Sequence, residues 1–110
     1  MSASACIAYI GLRFEVAPDE IEALENRKDK RQASARSAGL TSYWSNFGGD
    51  AEHYILLIGT QVGILGPENS SSVQLVDQDL TAILSDVSAK LDAAGIKGSV
   101  SLHLEWLDDA

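Results

Sequence analysis

A run of apolar residues from His53 to Ile64, HYILLIGTQVGI, decides most of what this chain can fold into. Turn-forming residues bracket it, Gly48-Gly49-Asp50 before and Gly66-Pro67-Glu68-Asn69 after. A short apolar run between turn residues reads as a buried strand rather than a helix. The rest of the chain must then supply the layers that cover it. Gly59, Gly63 and Gly66 leave two readings of the run itself. It is either one strand over 53–65 or a second hairpin over 59–66, bending at Gly59-Thr60-Gln61.

The flanking segments fall into alternating elements. Residues 6–16, CIAYIGLRFEV, put Ala8, Ile10, Leu12, Phe14 and Val16 on one face and Ile7, Tyr9, Gly11, Arg13 and Glu15 on the other. Pro18 followed by Asp19 and Glu20 starts a helix that runs to Ala38 and stops at Gly39. Its centre, Asn26 to Gln32, is polar all round, so a loosely packed helix or a break near Asp29 is expected. Residues 41–47, TSYWSNF, read as a short strand joined to the central run by a tight hairpin. Val73 to Val76 reads as a minor edge strand. Asp77 to Ala94 carries Leu80, Ile83, Leu84, Val87 and Leu91 at helical spacing, with Asp77 as the expected N-cap and Gly95 as the stop. Residues 99–107, SVSLHLEWL, alternate Val100, Leu102, Leu104 and Trp106 against Ser101, His103 and Glu105.

The order strand, helix, strand, strand, helix, strand resembles the ferredoxin-like split βαβ arrangement. It implies one α+β domain over residues 1–110, with two helices on one face of a four-stranded antiparallel sheet. The first and third strands should lie inside, because they are the most apolar.

Charge and cysteine usage narrow the function. Sixteen acidic and eight basic side chains give a net charge of −8. Such a surface repels nucleic-acid backbones and anionic lipid and favours a cationic partner or plain solubility. Arg27, Lys28, Lys30, Arg31 and Arg36, less Asp29, carry +4, leaving −12 for the remainder. That stretch lacks interleaved aromatics and reads as a solvated helix face. One cysteine, Cys6, permits no internal disulfide. With no apolar span and no basic leader, the expected location is the cytoplasm, away from membranes.

Chemistry-bearing residues gather on the sheet face away from the helices. Alternation puts Tyr9, Arg13, Ile55, Leu57, His103 and Glu105 there, with Ile7 and His53. The apolar centre of that face calls for a cover, and a second copy of the chain is the commonest one, ahead of another protein. Tyr9, Arg13, His103 and Glu105 form the only polar constellation, and none of their spacings is diagnostic of catalysis. His53 and His103 lack a third metal ligand. Cys6 shares the helix-facing parity and reads as a buried thiol. The glycine-rich 59–66 segment fits no phosphate or dinucleotide fingerprint. No catalytic residue, metal or cofactor is therefore assigned. The expectation is a small acidic binding protein acting through the open face, one concrete version being an inhibitor or immunity-type protein. The alternative is a small dimeric enzyme or ligand-binding domain with a pocket at that face.

Overall fold

A computed structural model describes residues 4–48 and 51–107. The described residues form an α+β fold, with four antiparallel strands and three helices among them. β1 is Ala5–Glu15, β2 Thr41–Asn46, β3 Tyr54–Leu65 and β4 Ser101–Leu107. The helices are α1 (Ile21–Glu25), α2 (Lys30–Ser37) and α3 (Asp77–Ala93), with a 3-10 turn over Pro18–Glu20 before α1. The strand order is β2-β3-β1-β4, so β1 and β3 are the inner strands.

Of the two readings of the central run, the single strand holds. Gly59 does not turn the chain; it lies opposite Gly11 in the β1–β3 ladder. A methyl group at Gly59 would sit 2.1 Å from the Ile10 carbonyl oxygen, and one at Gly11 would sit 1.9 Å from that of Ile58. Only glycine permits so close an approach of two backbones. Two rungs on, Val62 is an extra residue in β3, since Ala8 faces Gly63 while Tyr9 faces Gln61. Such a bulge bends and twists a strand.

The expected long first helix is broken at Asp29. Its carboxylate accepts from the Arg31 backbone at 2.8 Å and so caps α2 afresh. Arg31 also holds Asp29 and Glu20 through its guanidinium and lies over the Phe14 ring at 5.3 Å. All three helices close in the same way. Lys28, Leu40 and Ile96 donate back to Ala23, Ala35 and Leu91, with Arg27, Gly39 and Gly95 in left-handed backbone. Arg27 is unusual there, because a side chain disfavours that conformation.

Two other expectations change. Val73–Val76 forms no strand; Val73 instead packs its side chain onto Gly63, filling the space that residue leaves. Asp77 is the first helical residue, not the cap, which falls on Val76. Of the turn between β2 and β3, Gly49 and Asp50 lie outside the described residues. On either side of them, Asn46 Oδ1 accepts from the backbone of Gly48 and His53.

The core lies between the helices and one sheet face. Ile10 and Leu12 from β1 and Leu56 and Ile58 from β3 meet Leu24, Ala35, Val87 and Leu91 from the helices. α2 rests on β2 and β3, and α3 on β1 and β3. No helix among the described residues is long and apolar enough to cross a membrane.

Candidate functional site

The helix-free face of the sheet is concave, and its curvature follows from its sequence. Register puts Glu105 opposite Ile7, six residues along β1 from Arg13. Six extended residues span ~20 Å, further than the two side chains can bridge over a flat sheet. Yet Arg13 Nε donates directly to Glu105 Oε1. The sheet therefore folds over between these rows, where the Gly11–Gly59 approach and the Val62 bulge both lie.

Curling gives this face a core of its own. Ile7, Tyr9, Ile55 and Leu57 are buried with Ala5 and Leu107, and Tyr43, Phe47 and Ile64 pack against them. The apolar centre that alternation placed on an open face is thus largely covered by the chain itself. The aromatic residues of the 41–47 segment, Tyr43, Trp44 and Phe47, divide between the two faces. Tyr43 and Phe47 meet edge to face at 6.3 Å on the concave side, and Trp44 lies beside Tyr54 at 6.2 Å against the helices.

The polar residues form the rim. Arg13 joins Glu105 on one side and Glu15 at 3.7 Å on the other, and Glu15 accepts from His53 Nε2 at 2.8 Å in the charged pairing. That bond holds the Glu15 carboxyl below the usual carboxylate range. Tyr9 Oη meets Thr41 Oγ1 at 3.1 Å, and burial pushes its phenol up. His103 lies opposite Tyr9, but its Nε2 reaches the Gly11 carbonyl oxygen at 3.2 Å, not Glu105. The fold thus brings Arg13 and Glu105 into contact, sets Tyr9 and His103 side by side, and puts Ile55 and Leu57 in the floor. The groups neutralise one another, and no acid–base pair is held ready between His103 and Glu105. Among the described residues no three metal-ligating side chains converge.

The solvent-facing apolar surface is elsewhere. Leu102, Leu104 and Trp106 are 49%, 61% and 57% exposed on the helix side of β4. Their alternation was plain in the sequence, and it pointed them at the helical layer. The helices instead sit over the other three strands, so this stripe extends beyond their cover. Val73 and Val76, from the segment before α3, are exposed too. Cys6 is half-buried and opposes Trp106 in the register. No known protein family, no characterised protein and no solved structure matches this chain.

Proposed function

We propose that this chain is a single ferredoxin-like domain and a small acidic binding protein that works as a homodimer joined through the edge of β4. The strand order, which reads 4-1-3-2 from the β4 side, supports the topology. The exposed stripe of Leu102, Leu104 and Trp106 on an edge strand carries the functional reading.

The sequence of β4 is self-complementary. Two copies paired antiparallel about Leu104 set Leu102 against Trp106 of the other copy and Leu104 against itself. On the concave side the same register sets His103 against Glu105. Apolar pairs on one face and a polar pair on the other are contacts that stabilise a two-stranded antiparallel junction. The product is a continuous eight-stranded sheet with a closed two-fold. Its interface is small, so micromolar affinity is expected. The −8 charge of each copy makes a cationic protein the favoured partner of the assembled dimer. The mutual pairing of Arg13, Glu15, His53 and Glu105 supports a binding role over a catalytic one.

Light scattering after size exclusion at high protein concentration tests this reading. The chain should elute near twice 11.7 kDa. Leu104→Lys should elute as a monomer with an unchanged circular dichroism spectrum, because Leu104 contributes little to the core. A dimer that survives this substitution would remove β4 as the junction.

A further inference from the structure

Pairing through β4 leaves a trough on the helix side of the joined sheet, and the geometry of one copy sets its size. α3 rests on β1 and β3, and Leu102, Leu104 and Trp106 of β4 stay exposed beside it. In the joined sheet β3, β1 and β4 of one copy run on into β4, β1 and β3 of the other. The two α3 axes then stand nearly four strand spacings apart, ~18 Å. Packed helices lie about 8–10 Å from one another, so the gap is one helix wide. β4 has seven residues, which makes the trough ~23 Å long, the length of a helix of about 15 residues.

The floor of the trough is apolar and its walls are acidic. Side chains stand upright on a sheet, so lateral pairing covers the flanks of Leu102, Leu104 and Trp106 and leaves their tips open. One flank of α3 faces α2. Ala93 and Ala94 line a groove against that helix, and Lys90 Nζ lies 3.9 Å from the position a Gly39 methyl would take. At about 100° per residue, the other flank, toward β4, carries Asp77, Leu84, Ser88 and Asp92. It holds two carboxylates and no base. Among the described residues neither carboxylate enters an ion pair.

We infer that this trough binds a cationic amphipathic helix of a partner protein, an inference that rests on the β4 dimer. The floor takes the apolar stripe of the helix, and Asp77 and Asp92 of both copies take lysines or arginines along its sides. A helix satisfies its own backbone, as an occupant here must, because the free edges of both β4 strands are consumed in the junction. An anionic helix or an anionic lipid surface would meet the same carboxylates and be repelled.

The probe is a synthetic leucine–lysine peptide of about 15 residues with its leucines at helical spacing. It is titrated into the full-length protein at high concentration, with amide NMR shifts and solution mass recorded together. Saturable shifts centred on β4 and α3 are expected, with one peptide bound per two chains. A leucine–glutamate peptide of the same spacing, and a leucine–lysine peptide with the spacing scrambled, should bind more weakly by about tenfold or more. Asp77→Asn with Asp92→Asn should weaken the first peptide by a similar factor while the dimer mass stays unchanged. Glu22→Gln with Glu25→Gln, an equal loss of charge on α1, should leave the affinity as it was. A dimer that gives no saturable shifts would overturn this inference and leave the β4 junction standing; a monomer at every concentration would overturn both. Equal binding of either control peptide, equal weakening by the α1 variant, or one peptide per chain would also overturn it.

Discussion

Gly59→Ala should be among the most damaging single methyl additions available to this chain. The new Cβ would stand 2.1 Å from the Ile10 carbonyl oxygen and 2.8 Å from the Gly11 Cα. Relief of that overlap requires β1 and β3 to part by about 1 Å or more. A ladder hydrogen bond stretched so far is lost. Two such bonds at about 1 kcal/mol net each, with about 1–3 kcal/mol of overpacking, sum to about 3–5 kcal/mol. That is a large part of the roughly 5–15 kcal/mol available to a domain of this size. Gly95→Ala is the matched control. A methyl group there meets no atom within 4 Å, and only the left-handed backbone at φ 71° opposes it. It should cost about 1–2 kcal/mol. Urea unfolding followed by tryptophan fluorescence gives both values, with a similar slope for the two proteins. If Gly59→Ala fell within 1 kcal/mol of the control, the close strand approach, and with it the account of the curled sheet, would be wrong.

Other perturbations probe the supports of the fold. Asp29→Ala removes the α2 cap and the anchor of Arg31, and should lower stability by about 1–2 kcal/mol in the same unfolding assay. Asp29→Asn, which keeps a capping oxygen, should lose less. Arg31 holds the Asp29 carboxyl below its usual range, so its folded pKa is depressed. Its stabilisation is therefore complete above the unfolded value of about 3.9 and declines as pH falls through the lower folded value. Unfolding curves from pH 7 to pH 2 should lose this contribution at the acid end only, and Asp29→Asn should flatten that loss. Arg13→Met keeps the aliphatic stem and removes the bridge to Glu105. It should cost about 1–2 kcal/mol, part of which returns when Glu105→Gln is added, as a double-mutant cycle would measure.

Particular residues show which features the sequence announces. The apolar content of the first and third strands pointed to inner positions, and β1 and β3 are the inner strands. The polar centre of the first helical segment pointed to loose packing or a break near Asp29, and the break is what forms. Gly59 was ambiguous because glycine serves both a tight turn and a close backbone approach, and one-dimensional pattern does not separate them. Val73–Val76 had the composition of a strand, but its valine was recruited to fill the space above Gly63.

The face assigned to Tyr9, Arg13, Ile55, Leu57, His103 and Glu105 was legible from alternation alone. Its curvature was not, because period-two spacing says which way a side chain points and nothing about how the sheet bends beneath it. Burial of Tyr9, Ile55 and Leu57 therefore had no counterpart in the pattern. The exposure of Leu102, Leu104 and Trp106 was hidden for a related reason. Alternation assigns them to the helix side, and only the placement of α3 over β1 and β3 leaves them beyond its edge.

The β4 junction predicts one contact that a cross-link reads directly. In the proposed antiparallel pairing Leu104 meets its own copy on the two-fold axis, at the 4.5–5.5 Å separation typical of opposed residues. That separation falls within the reach of a disulfide. A chain carrying Cys6→Ser and Leu104→Cys has a single thiol at that position. Under mild oxidation it should convert to a covalent dimer far faster than a chain carrying Cys6→Ser and Thr81→Cys, with the thiol exposed on α3. Equal rates for the two, or a Leu104→Cys chain that stays monomeric at high concentration, would contradict the junction and the function built on it.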